Sequence, residues 1–531
     1  MIYDAIVIGG GHNGLVCAAY LGAAGLKTLV LEARDKIGGC AVTEEFYPGF
    51  RNSQAAYTVS LLNPKIIRDL DLPRHGLNIV PRKLGNFLPL EDGRYLKIGA
   101  GRTKSEVAKF SVRDAERLDG YSSRLDRLAD FLRAVALETP PNLPTGGALD
   151  WLRQLTRAGQ FANLLRKLGL EGERDVLEIF TNSAGDYLDH WFESAPIKAA
   201  FGFDAIVGNY QSPYAPGSAY VLLHHCFGEV NGAKGQWGHA IGGMGAITEA
   251  MAKAAQRRGV EIRTSRAVRE VLIENGRAIG VETVSGEIFR AKIVAANVNP
   301  KLLYRDLVRQ DALSGDFKDR IARWRCGSGT FRMNVALSEL PDFSALPGRA
   351  VAEHHTAGII IAPSLRYMEE AYFDARRCGW SQKPVVEMLI PSTLDASLAP
   401  RGAHVASLFC QHVAPVLPDG QSWDDRREAV ADLMIATVDA YAPNFKASVI
   451  ARQVFSPLDL ERTFGLVGGD IFHGALDLGQ LFVARPMLGH ADYRAPIAGL
   501  YMCGAGTHPG GGVTGLPGHN AAREILRDWR H

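Results

Sequence analysis

The sequence contains no pair of cysteines at C-x-x-C spacing. Its seven cysteines (Cys17, Cys40, Cys226, Cys326, Cys378, Cys410 and Cys503) are odd in number and far apart. That argues against a disulfide framework, a zinc knuckle and a redox dithiol, and leaves free core thiols as the expectation. No metal constellation appears either, because His224-His225 and His354-His355 lack the i, i+4 spacing of helical ligands. An excess of one charge is missing too: 59 basic against 57 acidic residues give a net charge of +2, too little for a nucleic-acid field. No apolar run reaches the roughly 18–20 residues that span a bilayer. No signal peptide or basic presequence precedes the first strand pattern, so the expected location is cytoplasmic. No repeat period stands out, and 531 residues of ordinary composition suggest about two to four domains.

Glycine, in contrast, is plentiful and concentrated at both ends of the chain. Tyr3 to Ile8 is a β-branched apolar run, as a buried parallel strand requires. Gly9-Gly10-Gly11-His12-Asn13-Gly14 then satisfies G-x-G-x-x-G, a helix is expected to about Gly25, and Leu26 to Leu31 forms a second strand that ends on Glu32. Gly9 permits the tight turn, Gly11 lets backbone approach a pyrophosphate, and Gly14 lets helix and strand pack closely. The helix N-terminus offers free N–H groups to phosphate, and Glu32 is placed to accept from ribose hydroxyls. Strand, turn, helix, strand and acid together predict a dinucleotide site.

A second glycine pair, Gly38-Gly39, follows within "EARDKIGGCAVTEEF". Here the chain resembles the amine oxidase and phytoene desaturase superfamily of FAD enzymes, whose pattern is a dinucleotide fingerprint, Glu-Ala-Arg, then Gly-Gly-Arg. Cys40 stands where the arginine is usual. Stretches such as "GGGHNGL", "SPYAPGSAYVLLHH", "FRMNVALSELP" and "GGDIFHG" extend the resemblance over nearly the whole chain. They point to the branch of phytoene dehydrogenase-like, carotenoid ketolase-like and pyridine nucleotide-disulfide oxidoreductase domain-containing protein 2-like proteins, where a residue other than arginine is usual at that place.

The resemblance implies an α/β fold: a discontinuous Rossmann-type FAD-binding domain (1–75, 235–300 and 465–531) and an inserted α+β substrate domain (76–234 and 301–464, with a helical insert over 103–200). It implies that Glu32, Ala33, Arg34, Gly38, Gly39, Cys40 and Ala41 attend the cofactor, and that Val268, first in an expected meander over 268–296, offers backbone to the adenine. The terminal stretch "CGAGTHPGGGVTGLPGHN" carries seven glycines from Gly504 to Gly518 between a short strand, Leu500 to Cys503, and a helix, Pro517 to Arg527. By resemblance it covers the other end of the same FAD, Gly504 and Ala505 near the ribityl–phosphate region, Gly512, Val513, Thr514 and Gly515 near the flavin. Gly242-Gly243-Met244-Gly245 is not a second fingerprint, since its spacing breaks at Thr248 and no strand is expected before it. With no C-x-x-C, the pyridine-nucleotide–disulfide mechanism falls away.

A flavin takes a hydride at N5, and a base often takes the accompanying proton. The candidates are His224 and His225, expected after a strand "SAYVLL", with Tyr57, His473 and His508. The expected reaction is dehydrogenation or desaturation of an apolar isoprenoid or alicyclic molecule, with oxygen or quinone reoxidising the flavin. A flavin-dependent isomerase or ketolase, and a GDP-dissociation-inhibitor-like binding protein, are the alternatives. Asp150 to Leu170 is amphipathic and basic, with Arg153, Arg157, Arg166 and Lys167 opposite Leu152, Leu155, Ala162 and Leu165. A core-facing helix is the commoner reading and a peripheral membrane contact the other. A homo-oligomer stays open.

Overall fold

The computed structural model describes residues 2–142 and 147–530, so four residues of the expected helical insert lie outside the described set. Two seven-stranded sheets organise the chain. In the first, strand Ile2–Ile8 lies between Thr28–Leu31 and Ile288–Ala296, parallel to both. Glu261–Arg263 extends the sheet beyond Thr28–Leu31, and Leu500–Met502 pairs in parallel with Val294–Ala296. The meander is present as Val268–Glu274, Arg277–Thr283 and Ile288–Ala296, with tight turns at Asn275-Gly276 and Gly286. The two glycine loops, at 9–14 and 504–515, therefore leave the same end of nearby parallel strands. That is the crevice in which open α/β sheets bind ligands.

Three helices (His12–Ala23, Gly245–Gln256 and Leu516–Trp529) complete this unit. The first and last touch so closely that a Cβ added at Gly518 would lie 2.1 Å from the Asn13 carbonyl oxygen. A three-residue strand, Gly238–Ala240, does precede Gly242-Gly243-Met244-Gly245, contrary to expectation. The segment still has no vacancy for phosphate, because Ser53 Oγ accepts from Met244 N–H and Thr43 Oγ1 from Gly245 N–H.

The second sheet runs in the order Val449–Phe455, Phe331–Leu337, His404–Val413, Trp380–Leu389, Gly358–Ile361, Leu84–Pro89, Tyr95–Gly99. Phe331–Leu337 is buried at every position, as a strand covered on both faces must be. The described helices of the insert form a core with the Leu365–Cys378 helix against this sheet. Ser218–Cys226, expected to begin as a strand, is a helix. All but one of its residues are buried, so the run is apolar all round and hides the helical period.

Asp150 to Leu170 also needs correction. The helix Ala148–Arg166 buries Arg157 and exposes Trp151, Leu152 and Leu155. Arg157 turns inward because Glu524, fully buried on the C-terminal helix, accepts from its Nη2 at 2.7 Å. Among the described residues no helix is long and apolar enough to cross a membrane.

Candidate cofactor and active site

A cavity of about 520 Å³ opens where the two glycine loops face each other. Gly9, Gly11, Glu32, Ala33, Arg34, Gly39, Cys40 and Val268 line one part, and Ala505, Gly512 and Val513 another. The other expected cofactor residues stand behind this lining. Gly14 packs beneath the loop, where an added Cβ would lie 2.2 Å from Gly9 O. Gly38 donates its N–H to Gly10 O at 2.9 Å, and Ala41 O accepts from Thr248 Oγ1 at 2.8 Å. Gly504 packs on Asn297, Thr514 Oγ1 accepts from Leu516 N–H at 3.1 Å, and Gly515 lies against Ile66 and Val16. These six frame the cradle.

Whether a dinucleotide suits the cradle can be tested on the first helix. Its N-cap is Gly11, with no side-chain cap and no acid in the first turn, so its leading N–H groups are left for an anion. The Glu32 carboxylate accepts from Gly10 N–H at 2.7 Å and Arg34 N–H at 2.9 Å and lines the cavity. Each oxygen keeps acceptor capacity for a hydroxyl. Residues 14–330 match the family described as flavin containing amine oxidoreductase.

The chain belongs to the flavin-containing amine oxidoreductase family. It is an FAD-dependent oxidoreductase, and the residues above would hold FAD. The chain is similar to rat pyridine nucleotide-disulfide oxidoreductase domain-containing protein 2, 41% identical over 100% of this chain and 94% of the relative. It is similar also to a limonene dehydrogenase component of Castellaniella defragrans, 26% identical over 99% of this chain and 94% of the relative. Cyclohexylamine oxidase from Brevibacterium oxydans shares the fold, with a TM-score of 0.56 at 17% identity and full coverage of both chains.

Several residues of this oxidoreductase that hold the site together carry no local sequence signal. Asn297 follows the buried strand "KIVAA", donates from Nδ2 to Gly9 O at 3.2 Å, and packs against Gly504. One amide thus bridges both glycine loops. Arg485, fully buried, donates to the carbonyls of Phe472, Gly474, Gln480 and Ala505 and pins the 472–480 loop to the C-terminal glycines.

Beyond the loops the cavity is walled by Leu61, Val207, Trp237, Ile471 and Phe472, and it also meets Tyr57, His225, His473 and His12. Tyr57 donates its hydroxyl to Glu387 Oε2 at 2.5 Å, stacks on Phe409, and lies 4.6 Å from the Arg332 guanidinium. Burial, then the Glu387 charge, push the phenol well above its ordinary value, so it stays protonated. Glu387 itself is pushed up by burial against the pull of Arg82, whose Nε and Nη1 have no partner. A glutamate in the apolar stretch "VVEML" is the one trace of this cluster in the sequence.

The expected histidines separate on geometry. His508 lies outside the cavity lining and donates from Nε2 to Val135 O at 3.1 Å. His225 lines the cavity, and its Nδ1 donates to Val221 O at 2.9 Å, which leaves Nε2 as the acceptor nitrogen. His224 is buried beside Phe472, and neither ring nitrogen has a partner. His473 lines the cavity, its Nδ1 has no partner, and its backbone is left-handed (φ 59°). Burial, then His12 and Arg485, lower the His473 pKa to about 4, so it is neutral near pH 7. His12 donates from Nε2 to Gly512 O at 3.2 Å and ties the first helix to the C-terminal loop. Among the described residues no group of three or more His, Cys, Asp or Glu could hold a metal.

Proposed function

We propose that the protein dehydrogenates a compact apolar molecule, alicyclic or short isoprenoid, with oxygen or a quinone as the final electron acceptor. The observation that carries this reading is the wall of Leu61, Val207, Trp237, Ile471 and Phe472 beyond the glycine loops. Of the carboxylates that line the cavity, Glu32 is held by the backbone N–H groups of Gly10 and Arg34 and Asp306 is paired with Arg305, so the wall offers none to an ammonium group, which favours an apolar substrate over an amine. The volume supports a compact one: about 520 Å³ is within the usual range of ligand pockets, and the dinucleotide must share it. A relative named for limonene supports the same class.

Bound FAD supplies the acceptor for a hydride. The chain's own residues seat the substrate and take up the proton. The aliphatic and aromatic wall excludes water and holds the substrate by contact alone. Tyr57 is committed to Glu387, whereas His225, donating from Nδ1 to Val221 O, keeps its Nε2 lone pair, so proton acceptance falls first to His473 and second to His225, both of which line the cavity. A non-glycine residue in the left-handed region costs on the order of 1–3 kcal/mol, and such strain gathers at functional sites. His473 fits that pattern.

The test is anaerobic titration of the yellow holoprotein with alicyclic and linear terpenes. Bleaching of the flavin absorbance, together with a product two hydrogens lighter, is the expected result. A product of unchanged mass with the flavin still oxidised would replace dehydrogenation with isomerisation. Bleaching by amines alone would refute the apolar reading.

A further inference from the structure

Helix Ala148–Arg166 holds an apolar side out to solvent. At 100° per residue, Trp151, Leu155, Ala162 and Arg166 share one side of the helix, with Leu152 and Gly159 beside them. Trp151 is 56%, Leu152 62% and Leu155 61% exposed. The helix cannot roll to hide them. On its opposite side the Phe161 ring lies 4.8 Å from Phe482 and 6.1 Å from Phe131, and Arg157 is locked to Glu524. Three large apolar side chains together on one helix face differ from the scattered singles that soluble surfaces ordinarily carry.

The charge around this face is as uneven as its polarity. Between Asp150 and Glu171 the chain holds Arg153, Arg157, Arg166 and Lys167 and no acid, although the whole chain is nearly balanced. Arg157 is spent on Glu524, while Arg153, Arg166 and Lys167 form no ion pair among the described residues. By the same count Arg166 lies on the apolar side and Lys167 just past its edge, while Arg153 and the helix's first-turn Asp150 fall on the inward side near Arg157.

We propose that this face seats on the surface of an anionic phospholipid bilayer. Trp151, Leu152 and Leu155 enter the headgroup–acyl boundary, and Arg166 and Lys167 meet lipid phosphates. Charge complementarity selects the bilayer over a second copy of the chain, because a two-fold contact through this face would repeat the same unpaired cations on both sides. The assignment does not depend on which molecule the active site oxidises.

The test is sedimentation of the holoprotein with phosphatidylcholine vesicles, with and without phosphatidylglycerol, at low and high salt. Partition to the anionic vesicles and release by salt are expected. Arg166→Gln and Lys167→Gln should each lower partition about fivefold, at about 1 kcal/mol per cation. The Trp151→Ser/Leu155→Ser double variant should lower it by more than about tenfold, from the apolar burial lost. The flavin spectrum and melting temperature of each variant show that the fold is intact. If a variant fails to fold, the salt and lipid-charge dependence of the unmodified protein decides. Equal binding to neutral and anionic vesicles, or no binding, overturns the proposal. A dimer in solution that Trp151→Ser/Leu155→Ser dissolves also overturns it and assigns the face to a second copy.

Discussion

Glu32 is the residue at which loop architecture and cofactor binding can be separated. The residue is 7% exposed, and its carboxylate accepts two backbone N–H groups, from Gly10 at 2.7 Å and Arg34 at 2.9 Å, on different oxygens. Glu32→Gln keeps the shape but turns one acceptor oxygen into a donor facing a donor. One buried N–H then loses its partner, at about 1–3 kcal/mol. At about 2.1 cal/mol/K per residue, a chain of this length has an unfolding entropy near 1 kcal/mol per degree. The cofactor-free variant should therefore melt roughly 1–3 °C below the unmodified cofactor-free protein. Loss of a charged acceptor for ribose hydroxyls costs a further 1.5–3 kcal/mol or so, which raises the FAD dissociation constant roughly 10- to 150-fold. Thermal melts of the deflavinated proteins and quenching of FAD fluorescence read the two effects separately. If FAD affinity falls while the cofactor-free melt stays unchanged, the carboxylate serves the cofactor alone and does not organise the glycine loop.

Three further outcomes follow from the geometry. Glu524→Gln removes the fully buried negative charge that Arg157, Arg494 and Arg527 share, and should destabilise by about 3–5 kcal/mol in thermal or denaturant unfolding; an unchanged melt would show that the cluster contributes nothing. Asp395 would be raised by burial, but bonds from His239, Gly242 and Ser397 outweigh that and hold its carboxyl well below the ordinary range. Its folded pKa is the depressed one, so its stabilisation is present above roughly pH 4 and is lost as pH falls toward the folded value, and Asp395→Asn should flatten the acid limb of stability against pH. His473→Asn tolerates the left-handed backbone, so it should keep FAD and fold while lowering kcat about 100-fold or more for the substrate that bleaches the flavin; full activity in that variant moves the proton to His225.

The parts of the site that are legible in the sequence are those where backbone must come close to something. Gly9, Gly11 and Gly14 are readable because Gly14 has no room for a side chain, with Gly9 O 2.2 Å from an added Cβ, Gly9 holds a positive φ of 95°, and Gly11 leaves only a tight 3.0 Å to Asn297. The strand–loop–helix pattern around 500–529 is readable for the same reason. Asn297, Arg485 and the Tyr57–Glu387 pair are not, because their partners lie up to hundreds of residues away and no spacing marks them. Ser218–Cys226 reads as a strand because a run buried on every side has no period to show. Arg157 reads as outward-facing because the acid that draws it inward, Glu524, lies 367 residues later. The amphipathic pattern around it marks the helix but not its orientation.

The pairing of Asn13 with Gly518, and of His12 with Gly512, has a consequence for synthesis of the chain. The first glycine loop leaves the ribosome some 500 residues before the loop that faces it. At about 5–20 residues per second that delay is roughly 25–100 s. Throughout it, the nascent first helix has neither its C-terminal packing partner nor the far wall of the cavity. FAD therefore cannot be enclosed during translation, and loading must wait for the last segment. A chain stopped before residue 504 would carry an intact fingerprint and still be unable to close around its cofactor.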